Sequence, residues 1–210
     1  MNPQLMATKF QNVAAFILAG GSSSRMGLDK ALLEWNGQPL LLRAARLLDP
    51  LVTGVTVIGD PARYTSLGLT VVPDDFPNLG PLGGIATALR ISRMPWNLVV
   101  GCDLPYLTAA WLEFLISRAL ASRADVLLPE GPRGPEPLCA MYHARCAPAI
   151  SAALERGVRK VTDGLAGLVL ETLPQEDWKA FDSDGCLFKN INSPADYEWA
   201  SAKLKGKLPG

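Results

Sequence analysis

The chain has 210 residues, of which 49% are hydrophobic and 19% are charged, and its acidic and basic side chains balance to a net charge of zero. This length suits one domain, and these proportions are ordinary for a globular α/β protein. A balanced charge gives no overall basic surface for nucleic acid or acidic lipid, so any anion site has to be local.

Cysteine spacing and apolar runs bear on location. The four cysteines, at positions 102, 139, 146 and 186, form no C-x-x-C pair, which favours a reducing compartment. No apolar run approaches the ~20 residues of a membrane span. Residues 1–12 lack the apolar core of a secretory signal. We therefore expect a cytoplasmic protein with neither a membrane nor a nucleic-acid partner.

Apolar runs and turn residues predict strands alternating with helices. The predicted strands cover residues 13–18, 54–58, 69–72, 96–100, 124–129, 138–142 and 168–173, and residues 31–35 are also predicted to be extended. The predicted helices cover residues 39–48, 85–92, 109–121 behind a Thr108 cap, 144–155, 159–165 and 194–204 behind a Ser193 cap. This alternation predicts an α/β fold with a three-layer, doubly wound, mostly parallel sheet. We expect an N-terminal extension (1–12), a single domain (13–204) and a C-terminal tail (205–210).

The first strand runs directly into a loop rich in glycine, serine and basic residues. Gly20, Gly21 and Gly27 let the backbone approach a ligand closely, and Arg25 and Lys30 add two positive charges. The loop fits neither the P-loop nor the dinucleotide-binding pattern. It predicts a polyphosphate-binding loop, with a plain strand-to-helix turn as the alternative.

Three polar residues further along are candidates for metal or phosphate binding. Asp103 follows an apolar strand, at the position where open α/β sheets bind ligands. A lone carboxylate there suits Mg²⁺, which keeps waters and takes other ligands from phosphates; a turn or capping role is the alternative. Asn190 and Asn192 are two residues apart, so in an extended segment their side chains lie on the same face. They could complete a metal shell or hold a phosphate oxygen. An Asx-turn is the alternative for Asn192.

Two further loops contain many glycines and prolines. Residues 78–84 lead into the helix predicted from residue 85, and a helix N-terminus after glycines can bind an anion or polar ligand. A simple entry turn is the alternative. Residues 130–137 are predicted to be a surface loop. Its charges, Arg133 and Glu136, are expected to be solvated, with contact to an acceptor substrate as the alternative.

Several segments carry a resemblance. The stretch L-A-G-G-x-S-x-R-M-G-x-D-K from Leu18 to Lys30 is similar to the loop of nucleotidyltransferases that make nucleoside-diphosphate-linked products. Within that superfamily the chain most resembles the molybdenum cofactor guanylyltransferase (MobA) family. The later segments G-P-L-G-G, C-D-L-P, P-E-P-L-C-A-M-Y and N-I-N-S-P occur in the family's order. The resemblance covers about residues 13–200 and implies a Rossmann-like sheet of the nucleotide-diphospho-sugar transferase type.

The resemblance also implies roles for individual residues. It implies nucleotide contacts at Leu18, Ala19, Gly20, Gly21, Lys30, Asp74, Gly83 and Asp103. It implies catalytic roles for Arg25, Lys30 and Asp103, and a Mg²⁺ site on Asp103, with Asn190 and Asn192 as further ligands. One departure is Ile58, where the family's bacterial prototype has an asparagine that contacts the nucleotide.

The implied reaction is transfer of GMP from GTP to the phosphate of a molybdopterin-type cofactor, with release of diphosphate. Gly20 stands where related cytidylyltransferases usually have alanine, which favours guanine. The alternatives are a molybdopterin cytidylyltransferase, a nucleotidyltransferase acting on another small phosphate or sugar phosphate, and a non-catalytic GTP-binding cofactor carrier. Proteins that deliver the cofactor or mature molybdoenzymes are the expected protein partners.

Overall fold

The computed structural model describes residues 10–20 and 29–204. Ten strands occur among these residues: β1 Val13–Leu18, β2 Glu34–Trp35, β3 Gln38–Pro39, β4 Val55–Ile58, β5 Val71–Val72, β6 Trp96–Gly101, β7 Val126–Gly131, β8 Gly134–Pro135, β9 Cys139–His143 and β10 Leu170–Leu173. Eight α-helices occur in the same part of the chain: α1 Leu40–Leu48, α2 Pro61–Tyr64, α3 Pro81–Ile91, α4 Ala109–Ala121, α5 Ala147–Glu155, α6 Val161–Gly164, α7 Gln175–Trp178 and α8 Pro194–Leu204.

One large sheet organises the described residues. Its strand order is β10-β7-β9-β6-β1-β4-β5, with β8 added beside β7. The neighbours of β1, which are β4 and β6, run parallel to it, and β5 runs parallel to β4. Strand β9 is antiparallel to both β6 and β7. The carboxyl ends of β1, β4, β5, β6 and β7 therefore share one edge of the sheet, and we call it the carboxyl edge.

Helices cover both faces of this sheet. Along β1, the side chains of Ala15 and Ile17 point to the face covered by α1 and α4, and Phe16 points to the face covered by α3 and α5. Burial on both faces explains why β1 is apolar without a polar alternation. The expected three-layer, mostly parallel architecture is confirmed. No helix in the part of the chain described is long and apolar enough to cross a membrane.

The helix predicted from residue 85 begins earlier, at Pro81. Proline suits a first helical position, and Gly80 before it has φ +73°, which favours glycine. Gly83 and Gly84 therefore lie inside α3 and not in a loop. A Cβ on Gly83 would lie 2.8 Å from the Phe76 carbonyl oxygen, and one on Gly84 would lie 3.1 Å from the Leu18 side chain. These glycines let α3 pack closely on the neighbouring segments.

Two other predictions about local structure need correction. Residues Lys30–Leu32 form a 3₁₀ turn, because the Asp29 carboxylate caps it by accepting from the Ala31 N–H. The segment 130–137 contains a hairpin, in which Gly131 of β7 pairs with Gly134 of β8. Phe10, within the expected N-terminal extension, forms a parallel bridge with Val52. Residues 1–9 and 205–210 lie outside the described residues.

Gly59 tests the packing at the carboxyl edge. A Cβ there would lie 2.3 Å from the Ala19 carbonyl oxygen and 2.9 Å from the Tyr64 ring. We expect Gly59→Ala to lower the free energy of unfolding by about 1–3 kcal/mol through overpacking. Urea denaturation measures this change. The matched control is Gly54→Ala before the same strand, where a Cβ meets nothing within 4 Å. Equal stabilities of the two variants would contradict the packing described.

Candidate active site

The candidate site lies where β1 and β6 end side by side at the carboxyl edge. Leu18 pairs with Gly101 in the register of these strands, and the Cys102 N–H donates to the Leu18 carbonyl oxygen at 3.3 Å. Ala19 and Gly20 therefore start the glycine-rich loop beside the segment that carries Asp103. Of the residues implied for this loop, Gly21 and Arg25 lie outside the described residues.

Lys30, Asp103 and the two asparagines come together at this point. The Lys30 ammonium donates to Asn192 Oδ1 at 2.7 Å and lies 3.9 Å from Asp103 Oδ2. The Asn190 side chain is near enough to the Asp103 carboxylate to lower its pKa. The Ile191 N–H between the asparagines donates to the Asp103 carbonyl oxygen at 3.0 Å. Three segments that are far apart in sequence thus form one polar group, which we call the Lys30–Asp103 cluster.

Lys30 is held in place by the residue before it. The Asp29 carboxylate accepts from the Ala31 N–H at 3.1 Å with Oδ1 and from the Tyr64 hydroxyl at 2.8 Å with Oδ2. The Arg63 guanidinium lies 3.3 Å from the same Oδ2. Asp29 therefore fixes the turn that presents Lys30 and ties it to α2.

Asp103 lies in an environment that disfavours its charge. Its side chain is 19% exposed, and that of Lys30 is 22% exposed. Burial raises the pKa of Asp103, while the Lys30 charge, a backbone hydrogen bond and the Asn190 side chain act in the opposite direction. A desolvated carboxylate beside a lysine at a strand end is typical of a functional site.

The asparagine oxygens already have cationic partners. Asn192 Oδ1 accepts from Lys30, and Asn190 Oδ1 accepts from Arg133 Nη2 at 3.3 Å. Of the three residues implied as metal ligands, Asp103 has the carboxylate oxygens that Mg²⁺ prefers. No group of three or more histidine, cysteine, aspartate or glutamate residues that could hold a metal occurs within 10–20 and 29–204.

Arg133 and Glu136 lie nearer to this cluster than the sequence predicted. The Glu136 side chain is half-buried, and burial raises its pKa to about 7, with Arg133 lowering and Asp103 raising it. Both residues flank β8, so the hairpin brings them to the carboxyl edge. One sequence signal pointed to this position, because Glu136 lies in the P-E-P-L-C-A-M-Y segment that resembles the family. The approach of Glu136 to Asp103 depends on the pairing of β9 with β6, which the sequence does not reveal.

Asp74 follows β5 at the far end of the same edge. Three strand spacings separate β5 from β6, about 14 Å in all. Asp74 Oδ1 accepts from the Phe76 N–H at 2.9 Å and from the Thr87 hydroxyl at 2.8 Å. Thr87 is fully buried, and its oxygen also accepts from the Asp75 N–H at 3.1 Å. Sequence analysis missed Thr87, since nothing local marks a threonine inside a helix as a partner of a distant carboxylate.

Two residues singled out by the resemblance remain, the implied nucleotide contact Gly83 and the departure Ile58. Gly83 lies against Phe76 inside α3, next to the segment that Asp74 begins. Ile58 is 3% exposed and packs in the core between the sheet and α3. It is therefore a packing residue at the place where the prototype has a polar one.

The arrangement of sheet and helices is the fold found in nucleotidyltransferases. A cytidylyltransferase acting on 2-C-methyl-D-erythritol 4-phosphate, from Thermus thermophilus, has the same fold, with a TM-score of 0.67, 18% identity and coverage of 92% of this chain and 99% of that one. A molybdopterin-guanine dinucleotide biosynthesis protein A from Archaeoglobus fulgidus is more similar, with a TM-score of 0.80, 26% identity and coverage of 93% and 100%.

Sequence comparison identifies the family. Residues 15–169 match the model of the MobA-like NTP transferase domain, and the chain belongs to that family. A probable molybdenum cofactor guanylyltransferase from Deinococcus radiodurans is 36% identical over 198 residues, covering 93% of this chain and 95% of the relative. One from Synechococcus elongatus is 38% identical over 204 residues, covering 89% and 97%. The chain is a nucleotidyltransferase, and the resemblance described from its motifs is confirmed.

The Thr87 hydroxyl tests how Asp74 is held. We expect Thr87→Val to raise KM for the nucleotide about tenfold with little change in kcat, because Asp74 and the Asp75 N–H both lose a partner. Thr87→Ser keeps the hydroxyl and should restore KM. Steady-state kinetics with the nucleotide varied, and melting temperatures of both variants, provide the measurement. An unchanged KM in a folded Thr87→Val protein would show that Asp74 does not act on the nucleotide.

Proposed function

We propose that this protein transfers GMP from GTP to the phosphate of molybdopterin, releasing diphosphate and forming the guanine dinucleotide form of the cofactor. The observation that carries the proposal is the Lys30–Asp103 cluster beside the start of the glycine-rich loop. The names of the relatives support the choice of substrates, since those from Deinococcus and Synechococcus are called probable molybdenum cofactor guanylyltransferases.

The reaction needs positioning and charge neutralisation more than a nucleophilic side chain. An oxygen of the acceptor phosphate attacks the α-phosphorus of GTP. The bond from that phosphorus to the oxygen bridging the α- and β-phosphates breaks, and its electron pair leaves with the diphosphate. A phosphate monoester is largely ionised at neutral pH, so no side chain has to remove a proton. Catalysis then rests on alignment and electrostatic stabilisation.

The Lys30 ammonium supplies the positive charge. We propose that it offsets the charge that develops on the departing diphosphate, together with Arg25 of the glycine-rich loop. The backbone N–H groups after Ala19 bind phosphate oxygens, because glycines at positions 20 and 21 let an anion come close. Gly20 also carries the preference for guanine, since no methyl group stands between the backbone and a purine edge.

Asp74 and α3 form the other end of the nucleotide site in this proposal. Because Thr87 and the Phe76 N–H both hold Asp74 Oδ1, the second oxygen, Oδ2, is the one proposed to contact the nucleoside. The span of about 14 Å from β6 to β5 accommodates a nucleoside triphosphate lying along the carboxyl edge.

Asp103 would hold the Mg²⁺ that phosphoryl transfer ordinarily requires. Its carboxylate is a hard oxygen ligand, and the surrounding amides leave it as the one anionic donor in the Lys30–Asp103 cluster. When bound, the ion would neutralise phosphate charge at the reacting centre. The Lys30 charge favours the ionised form of that carboxylate and opposes the effect of burial on its pKa.

A release assay tests the whole proposal. GTP, ATP, CTP and UTP are each incubated with molybdopterin or with simple sugar phosphates, with and without Mg²⁺, and diphosphate is measured. We expect release only with GTP, molybdopterin and Mg²⁺ together. Release with CTP instead would identify a cytidylyltransferase. Release with a sugar phosphate would replace the acceptor. Mg²⁺-independent GTP binding without release would indicate a carrier.

Lys30 gives the sharpest single variant for this mechanism. We expect Lys30→Ala to lower kcat/KM roughly 100- to 1,000-fold, the usual effect of removing one group that stabilises charge in a transition state. Its melting temperature should fall only modestly, because the largely buried Asp103 carboxylate loses its cationic partner but can take up a proton instead. Lys160→Ala is the control, since Lys160 lies in an exposed pair with Asp163. Near-normal turnover of Lys30→Ala would refute the role assigned to Lys30.

A further inference from the structure

The hairpin of β7 and β8 reaches the Lys30–Asp103 cluster from the side opposite to Asp74. In the sheet order, β9 and β7 lie on one side of β6, whereas β1, β4 and β5 lie on the other. Strand β7 runs in the same direction as β6, because β9 is antiparallel to both. The turn of the hairpin, which contains Arg133, therefore lies at the carboxyl edge.

A short chain of contacts joins Arg133 to Asp103. Arg133 Nη2 donates to Asn190 Oδ1 at 3.3 Å, and the Asn190 side chain is near enough to the Asp103 carboxylate to lower its pKa. One amide group thus separates the guanidinium from the carboxylate at the reacting centre. The Arg133 side chain is exposed and can be approached by a ligand.

Arg133 differs from other arginines along the carboxyl edge, because those arginines pair with carboxylates. On the β4–β5 side, Arg63 lies 3.3 Å from Asp29, and Arg90 lies 2.5 Å from Asp75. Within residues 10–20 and 29–204, no carboxylate oxygen lies within 4.0 Å of a side-chain nitrogen of Arg133. The hydrogen bond that Arg133 makes is to a neutral amide.

We propose that Arg133 binds the phosphate of the acceptor and, with Asn190, sets it in line with the nucleotide. This inference rests on the proposed function, in which the acceptor is a phosphate monoester. If the nucleotide extends from the glycine-rich loop toward Asp74, the acceptor has to enter from the β9–β7 side, where Arg133 stands. A guanidinium can bind two oxygens of a phosphate at once.

Steady-state kinetics with each substrate varied in turn tests the assignment. Arg133→Ala should raise KM for molybdopterin about tenfold or more, because a charge-assisted pair is lost, and should leave KM for GTP within about twofold of wild type. Arg133→Lys should raise KM for molybdopterin less than Arg133→Ala does, because lysine keeps the positive charge but lacks the planar guanidinium that binds two oxygens. The control is Arg93→Ala, which removes the same charge just before β6, about 20 Å from the carboxyl edge.

The outcomes separate this inference from the proposed function. If wild type releases diphosphate and Arg133→Ala leaves KM for molybdopterin unchanged, the inference is wrong and the proposed function stands. A rise in KM for GTP alone would place Arg133 on the nucleotide and also overturn it. If wild type releases no diphosphate with molybdopterin, the proposed function fails. In that case, equilibrium binding of simple sugar phosphates tests Arg133. Arg133→Ala must weaken this binding, and unchanged binding would overturn the inference.

Discussion

The burial of the Asp103 carboxylate beside Lys30 is the constraint on which the rest of this site depends. The carboxylate is largely withdrawn from water, and its pKa is raised by that burial. A buried charge is unfavourable unless it is paired and hydrogen-bonded. Here the ammonium of Lys30 and the amide of Asn190 provide that compensation. The segments carrying these two groups must therefore meet at the end of β6, and both proposals made for this protein follow from that meeting.

The sheet makes this meeting possible. Because β1 and β6 are parallel neighbours, the loops that follow them start side by side. The backbone of Asn190 to Asn192 then crosses over them, held by the bond from Ile191 to the Asp103 carbonyl. Ser193 and Asp196 anchor this crossing through reciprocal capping bonds at the start of α8. Local capping and long-range pairing thus fix the same few side chains.

Local rules predicted much of the fold from the sequence. Continuous apolar character placed β1 at residues 13–18, and the caps Thr108 and Ser193 marked the starts of α4 and α8, as the structure has them. These features depend on neighbouring residues, which the sequence contains directly. The choice of Asp103 and Lys30 came from the position of Asp103 after a strand and from the family resemblance, and the structure brings the two side chains together.

Other features depend on contacts that a sequence does not reveal. Thr87 meets Asp74 only because α3 packs beside the end of β5, and Tyr64 meets Asp29 only because α2 packs beside the turn that Asp29 caps. The hairpin of Arg133 lies near Asp103 because β9 inserts antiparallel between β6 and β7. Gly83 and Gly84 were predicted to lie in a loop because they are glycines. In the structure they lie inside α3, where the absence of a side chain lets the helix approach its neighbours.

The central claim is the proposal that the Asp103 carboxylate acts as a charged group in the reaction, at a cost in stability, and Asp103→Asn tests it most directly. Because burial raises the pKa of Asp103 on folding, this group stabilises the fold at low pH, and that contribution is lost as pH rises through the raised pKa. Asparagine keeps the shape without the charge. The account predicts a melting temperature at neutral pH equal to or above that of wild type, with turnover reduced by orders of magnitude. Wild-type turnover, or a marked loss of stability together with the activity, would contradict it.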